Sequence, residues 1–303
     1  GVIINTPYFQ ISEPLKIGVQ TELLKLTPDY TGLMDTVSKY AAELKEIDKY
    51  AASNGVEVIP CIQTLAHMSA LVDLAVYKDI VDCDDIFLIG DERFYALIDN
   101  MFRSLSESLT TRHINIGMDE AHMVGRGKYF DLHGEVDRTK LIVSHLARVA
   151  EIAEKYGFTL SMWSDMFFRL ATNGNYYDSN ITVPDEIKAL IPKNVELCYW
   201  DYYSFDKNRY NAMMRAHTKI KDGTWFAGGF WTWHGFAPHN QFSIKATKAA
   251  LPSCEKNGVK DVFFTMWGDD TAECSKFAVL PSFAPPRSTI CRKRAPCALK
   301  LFA

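Results

Sequence analysis

The sequence predicts an α/β protein of the (β/α)8 TIM-type barrel class, incomplete or irregular at its N-terminal strands. Two observations carry this expectation, and a third excludes the main rival. Short apolar runs alternate with longer stretches of helical spacing, the pattern of parallel strands joined by crossover helices. Each apolar run ends in polar or aromatic residues, and barrels of this class collect their functional groups at the C-terminal ends of many strands. A doubly wound sheet would concentrate them at one switch point, and no Gly-x-Gly-x-x-Gly follows any strand-like run. With 303 residues, 48% of them hydrophobic, the chain can bury the core of one such domain.

The elements follow in order. Val2–Asn5 and Leu15–Gln20 are strand-like but too close together for two complete βα units. Tyr40–Ala52 has helical spacing and stops at Asn54-Gly55, which leads into the strand Val56–Gln63 with His67 just beyond it. The run His113–Glu120 closes on Asp119-Glu120. Leu141–Tyr156 is helical, stops at Gly157 and precedes Phe158–Asp165, with Trp163 and Asp165 near its end. Val195–Tyr203 ends in Asp201, Tyr202 and Tyr203, and Thr224–Trp233 in Trp231 and Trp233. Ser243–Lys256 is helical, stops at Asn257-Gly258 and leads to Asp261–Asp269, which carries Trp267. Pro281–Ala303 has prolines, basic residues and two cysteines without helical periodicity. The expected division is a barrel over residues 1–280 and an irregular tail over 281–303.

Composition excludes several partners. A net charge of −4 and a pI near 6.1 leave no basic face for nucleic acid. No apolar run approaches the roughly 20 residues that span a bilayer, so no membrane partner is expected. The seven cysteines are odd in number, scattered and without a CxxC pair, which fits buried thiols in a reducing, cytoplasmic setting. Asn180-Ile181-Thr182 matches a glycosylation sequon that is common by chance, and the start shows no basic-plus-apolar leader. Neither metal nor organic cofactor is expected: HExxH is missing, and His113 and His122 stand at opposite ends of the acidic segment. Asp119-Glu120-Ala121-His122 spells a helicase DEAH, but the phosphate loop such an ATPase needs is not in the sequence. Its only Gly-Lys pair, Gly127-Lys128, is followed by Tyr129.

The chemistry concentrates in His113-Ile-Asn-Ile-Gly-Met-Asp119-Glu120. Neighbours on a strand point to opposite faces, so two adjacent carboxylates reach one site only where the strand ends. Breaking a glycosidic bond needs a proton donor for the leaving oxygen and a negative group against the positive charge on the sugar. Two carboxyls of different burial supply both.

The H-x-x-x-G-x-D-E stretch is similar to the signature of family 20 glycoside hydrolases, the β-N-acetylhexosaminidases. The longer string Gly117-Met-Asp-Glu-Ala-His-Met-Val-Gly-Arg-Gly-Lys-Tyr129 resembles the bacterial exo-β-N-acetylglucosaminidases of that family. The likeness runs from about Tyr8 to about Ser282. It implies a substrate-assisted retaining mechanism, in which the sugar's 2-acetamido oxygen attacks the anomeric carbon and gives an oxazolinium ion. Glu120 would be general acid and then base, and Asp119 would hold the acetamido N–H and stabilise the cationic ring. Tyr202 or Tyr203 would hydrogen-bond the acetamido oxygen. Trp163, Trp233 and Trp267 would wall the sugar, since aromatic faces stack on pyranose rings, while Trp231 is expected in the core. Asp269 stands where the family commonly has the Glu of Trp-Ser-Glu and would grip outer hydroxyls, with Asp270 as the alternative. His67 follows Leu65-Ala66 where many relatives have Pro-Gly, and would orient a carboxylate. The first-strand arginine of many relatives has no match. The partner implied is a carbohydrate with a terminal N-acetylhexosamine, and the oligomeric state is open, a homodimer being one arrangement. A catalytically impaired sugar-binding barrel is the alternative function.

Overall fold

A computed structural model describes residues 2–4, 31–269, 274–283 and 300–302, with side chains over residues 41–269 and 274–283. The expected strand Leu15–Gln20, the alternative Asp270, and Cys291 and Cys297 lie outside the described residues. In chain order the elements begin with β1 (Val2–Ile4), α1 (Thr31–Ser53), β2 (Val58–Pro60), α2 (Ser69–Val72), β3 (Val81–Cys83), β4 (Ile86–Phe87), α3 (Glu92–Ser108) and β5 (His113–Asn115). They continue with α4 (Lys128–His133), α5 (Arg138–Glu154), β6 (Thr159–Trp163), α6 (Asp165–Ala171), α7 (Asp185–Leu190), β7 (Val195–Trp200), α8 (Lys207–Thr218), β8 (Trp225–Gly229), α9 (Asn240–Lys256), β9 (Val262–Thr265) and β10 (Lys300–Phe302). Strands and helices alternate as expected, and every strand pair with a described register is parallel except the β3–β4 hairpin. No described helix is long and apolar enough to cross a membrane.

The chain forms two compact units. One comprises Tyr8–Met162 and Pro184–Val195. Here β5 runs parallel to β6 with His113 opposite Thr159 and Asn115 opposite Ser161, and Cys61, just past β2, bridges to Asn115. Helix α3 starts where Asp91 accepts from the backbone N–H of Arg93 at 2.9 Å, satisfying a donor that the first turn leaves open. Its Phe94, Leu97, Ile98, Met101, Phe102 and Leu105 recur at helical spacing and are all buried. Asp137 caps α5 through the N–H groups of Thr139 and Lys140.

The other unit comprises Gly1–Pro7, Trp163–Val183 and Glu196–Ala303. Its strands pair in the order β7, β8, β9, β10, β1, with Cys198 opposite Trp225 and Phe226 opposite Val262. All five residues of β8 are buried, which is why this strand reads as a continuous run without alternation. Phe230 and Phe264 stack with centroids 4.5 Å apart, and Leu251 and Val279 complete that part of the core.

Some element boundaries differ from those expected. The strand expected over His113–Glu120 ends at Asn115, because the chain enters the left-handed region at Gly117 (φ 69°), Met118 (φ 68°) and Glu120 (φ 50°). The segment expected to be an irregular tail from 281 begins inside a 3-10 helix, Lys276–Phe283, and carries β10. A three-residue strand is too short to show periodicity, and its pairing partner β9 is distant in sequence.

Candidate active site

The carboxylates sit on a short segment that the loop after β2 grips at several points. Thr64 Oγ1 donates to the carbonyl of Ile116 at 2.8 Å, and the amide N–H of Met118 donates to Gln63 Oε1 at 3.2 Å. The same Gln63 donates from Nε2 to Asp119 Oδ1 at 2.9 Å. Asn115 shapes the turn, accepting the Gly117 N–H at 2.9 Å and the buried Cys61 thiol at 3.3 Å. A Cβ on Gly117 would overlap the Gln63 amide, so glycine is required there both for its positive φ and for this approach.

His67 faces the pair. Its Nε2 lies 3.4 Å from Asp119 Oδ2 and 3.7 Å from Glu120 Oε2, while Nδ1 lies 3.7 Å from Asp85 Oδ2. Hydrogen bonding toward Asp119 outweighs burial and, with the charges of Asp119, Asp85 and Glu120, raises His67 to about 9. Burial pushes Asp119 upward, but His67 and Gln63 prevail and hold it below the usual carboxylate value. At neutral pH the cluster therefore contains an ionised Asp119 against a protonated imidazole.

A second histidine supports the loop from beneath. His145 of α5 is wholly buried, with Nε2 2.7 Å from the carbonyl of Thr64 and Nδ1 3.1 Å from the Tyr95 hydroxyl. A carbonyl only accepts, so Nε2 carries the proton and Nδ1 accepts from Tyr95. Burial lowers His145 to about 4, so it is a neutral structural link.

The remaining candidates belong to the other unit. Trp163 and Trp267 approach with centroids 6.0 Å apart, and Trp163 also packs on Phe263 at 5.8 Å. Tyr202 is buried between Trp200, stacked at 5.3 Å, and Trp233 at 5.4 Å. The bare backbone of Gly229 permits this, since a Cβ there would come within 2.7 Å of Trp233 and 2.8 Å of Tyr202. Tyr203 has its backbone N–H fixed by Asp201 at 3.0 Å, while its ring is half exposed. Trp231, expected in the core, is only partly buried; it donates from Nε1 to the carbonyl of Tyr202 at 2.7 Å and packs on Trp233 at 5.0 Å. Asp201 is buried and committed to Tyr199, Arg209 and two backbone N–H groups, so its role is structural. Asp269 is exposed with φ 43°. Asp119, Glu120 and His67 are thus brought together in one unit, and the aromatic candidates in the other.

Gln63 closes an apolar run, but nothing in the sequence signals its grip on Asp119 or the approach of Asp85 to His67. An Asp two residues beyond a three-residue strand carries no periodic signal; only the hairpin brings it to His67. Among the described residues, no group of three or more His, Cys, Asp or Glu side chains is arranged to hold a metal ion.

The chain matches the model of the glycosyl hydrolase family 20 catalytic domain over residues 33–222. It is 28% identical to hexosaminidase D of Bos taurus over 170 residues, 53% of this chain and 46% of that protein. With hexosaminidase D of Homo sapiens it shares 28% over 186 residues, 54% of this chain and 34% of that one. The chain thus spans half or less of the curated relatives it matches. In fold it is similar to the β-N-acetylhexosaminidase of Bacteroides fragilis NCTC 9343. That likeness has a TM-score of 0.52 and 18% identity, covering 76% of this chain and 46% of the other. Because the family model covers more than half of the sequence, including Gln63, His67 and the Asp119-Glu120 segment, the chain belongs to glycosyl hydrolase family 20.

Proposed function

We propose that this chain, on an eight-stranded β/α barrel, hydrolyses terminal β-linked N-acetylhexosaminides by a substrate-assisted retaining mechanism. The single observation that carries the reading is the adjacent Asp119-Glu120 pair, with Asp119 held ionised by Gln63 and His67. In the first step the acetamido oxygen bonds to the anomeric carbon as the bond to the leaving oxygen breaks, and Glu120 gives that oxygen its proton. Asp119 accepts from the acetamido N–H and stabilises the positive charge that develops on the sugar. Water then opens the oxazolinium ion, and Glu120 takes the proton back.

Tyr202, rigid between Trp200 and Trp233, is the better holder of the acetamido oxygen than the half-exposed Tyr203, because a group that aims a nucleophile must be immobile. Trp163, Trp233 and Trp267 are the proposed sugar-stacking residues, and Asp269 the proposed contact to outer hydroxyls. An intact pair with a polarised Asp119 does not favour a sugar-binding protein that has lost catalysis. The test is turnover of p-nitrophenyl β-GlcNAc and β-GalNAc. Release of nitrophenol with retention of anomeric configuration is expected, and binding of both sugars without turnover would overturn the proposal.

A further inference from the structure

A cavity of about 420 Å³ opens between the β4–α3 loop, α4 and α5, within the range of roughly 300–1,000 Å³ found for small-ligand sites. Its floor is apolar, made by the buried Leu88, Ile89 and Leu141, and its wall aromatic, made by Tyr95, Tyr129 and His133. It shares no lining residue with Gln63, His67, Asp119 or Glu120. The wall is already fixed by groups behind it. The Tyr95 hydroxyl donates to Nδ1 of the buried His145 at 3.1 Å, and the backbone N–H of Tyr129 donates to the buried Asp82 carboxylate at 2.8 Å. Tyr129 and His133 stand one turn apart on α4, and their rings meet with centroids 4.4 Å apart. A cavity held in this way has little ordering cost left to meet when it is filled.

The lining also selects the chemistry of its occupant. It holds no lysine or arginine, and its one carboxylate is committed. Asp91 accepts from the Arg93 backbone N–H at 2.9 Å and from two guanidinium nitrogens at 3.0 and 2.7 Å, which hold it below the usual carboxylate value. A neutral ligand therefore suits this lining better than a charged one. Ser144 donates to the carbonyl of Leu141 at 2.7 Å and keeps its lone pairs for an incoming donor. The Tyr129 hydroxyl and the His133 ring nitrogens add further hydrogen-bonding groups. We propose that this cavity is a second saccharide site, which takes one neutral pyranose residue against Tyr129 and His133 and its hydroxyls toward Ser144 and the ring edges. A pyranose carries an apolar C–H face and a rim of hydroxyls, and aromatic walls with a few placed polar groups match both. An aliphatic or purely aromatic ligand would fill the floor but desolvate those polar groups without replacing their hydrogen bonds. The proposal stands apart from the reading of Asp119 and Glu120 as the working pair.

The test is an NMR titration of the full chain with N-acetylglucosamine, galactose and mannose in turn, read at the ring signals of His133, Tyr129 and His67. Saturable shifts of His133 and Tyr129 are expected with at least one of the three, with a Kd of about 1 mM for so small a ligand. Tyr129→Ala removes the stacking ring and keeps the backbone N–H that Asp82 accepts, so binding read at His133 should weaken at least tenfold. Ser144→Trp fills the cavity from an exposed position on α5, where the fold tolerates a larger side chain, and should abolish the shift. No shift of His133 with any of the three sugars overturns the proposal. A shift that survives undiminished in Ser144→Trp overturns it as well, because the sugar would then sit elsewhere. Shifts confined to His67 would place the sugar at the carboxylate pair alone, which sinks this inference and leaves the proposed hydrolysis standing. A saturable His133 shift that Ser144→Trp abolishes, in a chain that turns over no glycoside, would instead support the second site and reject the hydrolysis.

Discussion

Asp119 and Glu120 are sequence neighbours with different surroundings. Gln63 and His67 hold Asp119 on two oxygens, while Glu120 leaves the strand direction at φ 50° and meets His67 at 3.7 Å. If Glu120 is the proton donor, Glu120→Gln should cost about 10²–10⁴ in kcat/KM on alkyl glycosides and far less on dinitrophenyl glycosides, whose leaving group needs no proton. Equal losses on both would reject that role. The same cluster sets a pH dependence of stability. His67 is raised from 6.5 to about 9 on folding, so its contribution is fully present below pH 6.5 and is lost as pH climbs to about 9. Asp119 is lowered from 3.8, so its contribution is present above 3.8 and is lost as pH falls further. Melting curves of the wild type and His67→Asn should converge between pH 6.5 and 9. A separation that stays constant to pH 10 would show that His67 gains nothing from its charge.

At the level of elements, the site depends on where strands stop. β5 ends at Asn115 because Gly117 and Met118 enter the left-handed region, and this turn lets two adjacent side chains serve one cluster. Gly117→Ala would suffer strain at φ 69° and overlap with the Gln63 amide together, and should lower the melting temperature by several degrees, about 1–3 kcal/mol. Turnover should fall further than stability, because Gln63 must move off Asp119; full activity with a normal melting curve would exclude the close approach. The helices stopping at Asn54-Gly55 and Gly157 were readable, since Gly at a C-terminal stop is a local signal. Helix α3 has a periodic buried face between Asp91 and Leu109, whereas the hairpin leaves no signal, its strands being two and three residues long.

At the scale of the whole molecule, binding of an intermediate mimic links chemistry to stability. A thiazoline shaped like the cyclised sugar should raise the melting temperature, by about 2.7 kcal/mol of stabilisation at a hundredfold excess over its Kd. Asp119→Asn should abolish most of that gain. No gain beyond that of free N-acetylglucosamine would tell against an acetamido nucleophile.

The sequence by itself determined the α/β class, the order of the main strands, the carboxylate pair and the family. These rest on local signals: apolar period, glycine stops and a contiguous motif. The tertiary structure alone decided that Gln63 grips Asp119 across 56 positions and that His145 supports Thr64 across 81. It also set Asp85 against His67 and seated Tyr202 between two tryptophans while leaving Tyr203 half exposed. Such pairings are fixed by how strand ends and loops meet in space, and hydrogen bonds across long sequence separations leave no period in the chain that makes them.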